Sequence, residues 1–132
     1  MSVDLAYDYA VVRVVPRVDR EEFLNVGVIL SCTHAGFLQA CIELDVARLQ
    51  AFAPGFDVDG LRESLSTFSR VCEGGPDAGP IGKLPVRQRF LWLVAPRSTV
   101  IQVSPVHTGR TRDPQATLQR LMERVVRLPA GR

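Results

Sequence analysis

The chain has 132 residues, 46% of them hydrophobic and 23% charged, with a formal net charge of +2. That is the size and composition of one domain with a core of its own, spanning residues 1–132. No apolar run approaches the roughly 18 residues of a membrane span. The N-terminal stretch "MSVDLAYDYAVVRVV" places Asp4 where a secretory signal would be basic, so a cytoplasmic location is expected.

"YDYAVVRVVP", Tyr7 to Pro16, is β-branched and aromatic and stops at proline, which predicts a strand with Arg13 interrupting it. "RVDREE", Arg17 to Glu22, is a charged connector. "FLNVGVILSC", Phe23 to Cys32, is apolar except at Asn25 and Gly27 and predicts an inner strand covered on both faces. "THAG" is a tight turn with Gly36 free to take positive φ, and "FLQACIEL", Phe37 to Leu44, returns as a third strand. The three strands read as an antiparallel meander.

Asp45 and Pro54 bracket a short helix. A longer one, capped by Asp57 or Asp59, carries Leu61, Leu65, Phe68, Val71 and Cys72 at helical spacing. "EGGPDAGPIG", Glu73 to Gly82, is a flexible connector or a phosphate-cradling loop. It fails the phosphate-loop template, because Lys83 is followed by Leu84 and not by Ser or Thr. Residues 85–96 predict a short helix with Pro85 at its first turn, a strand being the alternative. Ser98–Ser104 is a fourth strand. Asp113 caps a last helix with Pro114 at its start and a stripe of Leu118, Leu121, Met122, Val125 and Val126. The expected fold is α+β: a mostly antiparallel sheet of about four strands, a three-strand meander plus one later strand, with helices on one face.

The three cysteines, Cys32, Cys41 and Cys72, include no C-x-x-C pair and read as small buried hydrophobes. Charge is uneven along the chain. Residues 1–82 hold six Arg against seven Asp and five Glu, a balance of −6, whereas residues 83–132 hold Lys83 and nine Arg against Asp113 and Glu123, a balance of +8. A basic segment of that kind attracts phosphate or nucleic acid. Fifteen of the sixteen basic residues are Arg, a bias that codon usage alone also produces.

The candidate sites follow from these positions. Arg97, Ser98 and Thr99 group a guanidinium with two hydroxyls, which is anion-binding chemistry. His107, Thr108 and Gly109 lie beyond the other end of the fourth strand, roughly 20–25 Å away if that strand is extended. His34 and His107 have no metal-ligand spacing. Asp8, Glu21, Glu22 and Asp113 would form an oxygen site only if the fold gathered them. Arg13 and Asn25 interrupt apolar strands, so each needs a partner. Arg13 either pairs with Glu21 or Glu22, or lines a polar cleft on the sheet face with Asn25 and Gln102.

"YDYAVVRVVPRVDREEFLNVGVIL", "RFLWLVAPRSTVIQVSPVHTG" and the following "DP" together resemble the bacterial domain-of-unknown-function family 3037, from Tyr7 to about Val126. The matching positions include Arg13, Pro16, Glu22, Asn25, Gly27, Gly79, Pro80, Arg89, Phe90, Ala95, Arg97, Ser98, Pro105, His107, Thr108 and Gly109. The resemblance carries over no catalytic residue and no cofactor. It implies an association with a HipA-like kinase, as a small accessory subunit.

Three functions are therefore carried forward. The first is a non-enzymatic binding or accessory module that presents Arg13, Asn25, Arg89, Arg97, Ser98, Thr99, His107, Thr108 and Gly109 to an anionic ligand or a protein partner. That ligand would be a nucleotide, a phosphorylated partner or nucleic acid. The second is a phosphoryl-transfer enzyme or nuclease, with His107 as general acid or base and Arg97 stabilising transition-state charge. The third is a purely structural subunit that buries an apolar surface on another protein.

Overall fold

The structure, a computed structural model, describes residues 3–97 and 99–129. Its centre is one antiparallel sheet. β1 (Leu5–Val14), β2 (Leu24–Cys32) and β3 (Phe37–Ile42) form the expected meander. β1 is central. Its outer side takes two short strands end to end: β4 (Ile101–Val103) beside Val12–Val14, and β5 (His107–Thr111) beside Leu5–Tyr9. The fold is α+β, with five strands rather than about four.

Pro105 explains the split. It has no N–H to give the ladder. Instead the Ser104 hydroxyl accepts from the Val11 N–H at 2.8 Å and donates to the Pro105 carbonyl at 2.9 Å. Past that break the chain resumes pairing as β5. Its sequence, "HTGRT", has no apolar alternation to announce a strand. It is held by its register against β1, where Gly109 lies under the Tyr7 ring.

The helices cover both faces of the sheet, not one. α1 (Val46–Phe52), α2 (Val58–Glu73) and α3 (Val86–Leu93) pack a core of Leu49, Leu61, Leu65, Phe68, Phe90 and Leu93 onto Val12, Val14, Val26 and Ile29. α4 (Pro114–Val125) sets Leu118, Leu121 and Met122 against Val28, Leu30 and Cys32. Alternate residues of β2 thus serve opposite cores, as its unbroken apolar run requires. A β-bulge sits between the pairs Val12–Gly27 and Arg13–Asn25, with Val26 as the extra residue. It shifts the alternation, so that Val26 and Ile29 share one core. The last helix follows β5 and packs on the far side of the sheet from α2 and α3.

Helix ends match their residues. Asp45, Asp57 and Asp113 each accept a backbone N–H, from Arg48, Gly60 and Ala116 respectively. Residues 85–96 contain the helix α3, with Pro85 as its N-cap. The Gly-rich stretch folds into 3-10 turns over Pro76–Lys83, closed by a hydrogen bond from Gly75 N–H to the Gly82 carbonyl at 3.2 Å. Among the described residues no helix is long and apolar enough to cross a membrane.

Candidate functional site

Arg13 sits in the middle of a row that crosses three strands. Its Cα partners are Asn25 on β2 and Gln102 on β4, and facing residues of paired strands share one side of the sheet. This is the α4 side, beyond the end of α4. Asn25 Nδ2 donates to the Val125 carbonyl at 3.0 Å, tying the helix end to the sheet. Its Oδ1 is buried without a hydrogen-bond partner, and so is Arg13 Nε. Arg13 does not pair with Glu22, which takes Arg20 instead at 2.5 Å, and it forms no ion pair with Glu21. Its guanidinium carbon lies 4.0 Å from the centroid of the Phe23 ring.

Around this row lies a concavity of about 360 Å³, lined by Arg13, Val15, Val18, Glu21, Phe23, Arg97 and Gln102. Two others adjoin it. One, of about 370 Å³, runs past Phe68, Trp92, Arg97, Thr99 and Val100. The larger, of about 600 Å³, runs between the β1–β2 connector and Phe52–Phe56. Arg97 lines both of the smaller two and so joins them, and different residues of the connector face the large one and the Arg13 bowl. The connector itself is a 3-10 turn, Val18–Arg20, followed by Glu21 at φ 56, left-handed for a residue with a side chain.

The other residues picked out in the sequence are dispersed. Arg97 caps α3: its Nη1 donates to the Leu93 carbonyl at 2.5 Å, and its guanidinium lies 5.4 Å from the Trp92 ring and 5.5 Å from the Phe68 ring. Burial lowers its pKa from the ordinary arginine value. Arg89 caps α2, donating to the carbonyls of Val71, Cys72 and Leu84. Thr99 donates its hydroxyl to the Ile101 carbonyl at 2.9 Å. Ser98 lies outside the described residues. His107 stacks on Tyr9 at 5.2 Å, and Thr108 and Gly109 pair with Asp8 and Tyr7. Tyr9 and Arg13 are four residues apart on β1, roughly 13 Å at strand spacing.

Three arginines of the basic C-terminal segment are ion-paired within the fold. Arg87 pairs with Asp8 at 2.6 Å, Arg110 with Asp4 at 2.9 Å, and Arg127 with Glu43 at 2.5 Å and Glu123 at 2.7 Å. The pairs with Asp8, Asp4 and Glu43 join acidic residues of the first half to basic residues of the second across the fold. The four carboxylates considered for a metal are separate too. Asp8 holds Arg87, Glu22 holds Arg20, Asp113 caps α4, and Glu21 stands at the bowl.

What the sequence reading missed is apolar. Val18, Phe23, Phe52, Trp92 and Val100 are five of the nine large apolar side chains left exposed among the described residues, and each lines one of these three concavities. A lone Trp and a Phe beside a charged connector were the available signals. No curated protein and no solved structure matches the chain. The family model described as "Protein of unknown function (DUF3037)" matches residues 9–126, and the chain belongs to that family.

Proposed function

We propose that the protein is a non-enzymatic accessory module that docks a protein partner on the surface running from Phe52, over the β1–β2 connector and the Arg13 bowl, to Trp92. The observation that carries this reading is the gathering of exposed Val18, Phe23, Phe52, Trp92 and Val100 around arginines in adjoining concavities. Aromatic residues and Arg in partly desolvated hollows are what protein interfaces use as anchors. The partner proposed is a HipA-like kinase, which the family resemblance implies.

Purified chain titrated into such a kinase in a calorimeter tests this. Trp92→Ala and Phe23→Ala should each weaken binding by about tenfold or more, the range of an anchor residue. His107→Ala, away from the surface, should leave it unchanged. Equal affinities for all three variants, or a loss confined to His107→Ala, would contradict the reading.

A further inference from the structure

Arg13 is half-buried and forms no ion pair among the described residues. Its Nε is buried and unpaired, and no hydrogen bond or ion pair among the described residues uses the rest of its guanidinium. One face is spent on Phe23, at 4.0 Å. The fork remains, in a bowl of about 360 Å³. An unpaired buried polar group in a folded chain calls for an explanation, and Asn25 Oδ1, on the directly opposite residue, is a second one.

We propose that this bowl receives the carboxylate of an acidic side chain on the partner polypeptide, held by the Arg13 fork, with the partner's neighbouring apolar residue against Phe23 and Val18. The proposal rests on the protein-docking reading above and names what that surface recognises. Three features of the bowl select this chemistry.

The first is charge. Arg13 and Arg97 are opposed by Glu21, and Arg97 already gives Nη1 to the α3 end. One free fork matches one carboxylate, bidentate in geometry. A doubly charged phosphate would meet the same single fork with Glu21 repelling it. The second is the wall. Phe23 and Val18 are 45% and 47% exposed, an apolar surface that a bare inorganic anion leaves wet. The third is Gln102. Its Nε2 donates to the Thr99 carbonyl at 3.0 Å, which leaves its Oε1 to accept a backbone N–H from a peptide. A carboxylate, an apolar side chain and an N–H together describe an acidic peptide segment.

The probe is a capped hexapeptide of alternating Glu and Phe, titrated against the ¹⁵N-labelled chain by NMR, beside its Gln-for-Glu analogue and phenyl phosphate. The Glu peptide should shift the Arg13 Nε and Gln102 side-chain signals. The Gln analogue should bind about tenfold more weakly or worse, the loss of one charge-assisted pair. Arg13→Gln should lose the difference between the two peptides. Arg13→Lys keeps the charge but not the fork and should lose most of it, which guards against a Gln variant that fails to fold. Equal binding of the two peptides, tighter binding of phenyl phosphate, or a Glu-over-Gln preference that persists in full in Arg13→Lys would each overturn the proposal. Kinase binding that is lost in Trp92→Ala but intact in Arg13→Lys would overturn it while leaving the docking reading standing. Selective peptide binding with no kinase binding would do the reverse.

Discussion

Arg89 reaches across from α3 to the end of α2 and donates to the Cys72 carbonyl at 2.7 Å. The same guanidinium satisfies Val71 at 2.8 Å and Leu84 at 2.9 Å. The Val71 and Cys72 carbonyls are among the orphans that the end of α2 leaves, and a cation there also complements the helix dipole. One side chain thus closes α2 and ties it to α3.

Arg89→Ala should therefore destabilise the fold by about 2–4 kcal/mol, since it strands buried carbonyls and removes charge-assisted bonds. Arg89→Lys should recover only part, because one ammonium cannot span all three acceptors. Arg112→Ala, at an exposed position, should stay within about 0.5 kcal/mol of wild type. Urea denaturation of the three variants measures this. A silent Arg89→Ala would mean that the cap contributes nothing.

Gly27 lies at the β2 bulge, where a Cβ would come within 2.5 Å of Ile42 Cδ1 and 2.6 Å of the Cys41 carbonyl oxygen. The side-chain atom can move, but the carbonyl belongs to the β2–β3 ladder. Gly27→Ala should cost about 1–3 kcal/mol through overpacking, seen as a drop of several degrees in Tm. An unchanged Tm would show that β3 shifts without penalty.

Much of the fold was legible in the sequence because local chemistry decides it. Asp45, Asp57 and Asp113 announce their helices, and the β2 run "VGVIL" announces a strand buried on both faces. β5 was not legible, since its pairing is decided by Tyr7 and Tyr9, about a hundred residues earlier in the chain. The site was legible only in fragments. Arg13, Asn25 and Gln102 do share one row across the sheet, where polar residues interrupt the apolar strands. Arg89 and Arg97 look alike in sequence to an anion site and to a helix cap. Only the approach of carbonyls from other turns separates the two.

Arg127 holds Glu43 on the β3 side and Glu123 on its own helix. The hydrogen bond from Arg127 lowers the pKa of Glu43 from its ordinary value of 4.5. A lowered carboxylate pKa adds stability that is present above pH 4.5 and is lost as pH falls through the depressed value. The pair is half-exposed, so the effect should be under about 1 kcal/mol and should shrink in salt. Denaturation midpoints of wild type and Glu43→Gln should converge as pH drops below that range. A gap that stays constant with pH would refute the linkage.

The Cys72 thiol is pushed up to about 12 by burial, and burial also raises the pKa of the partly exposed Cys41. Only thiolates react with alkylating reagents at useful rates. At pH 8 iodoacetamide should modify Cys41 before Cys32 or Cys72, and the last two only after unfolding by denaturant. Mass spectrometry of the time course checks the order. Early loss of the Cys72 thiol would mean that the α2 end opens in the native state.

The most direct test of the docking account is hydrogen exchange of the chain with and without the kinase. Slowed exchange over the β1–β2 connector, Pro16–Phe23, and over the Trp92–Val103 stretch is the result the account predicts. Slowing confined to β5, around His107–Gly109, or no slowing anywhere in the presence of bound kinase, would contradict it.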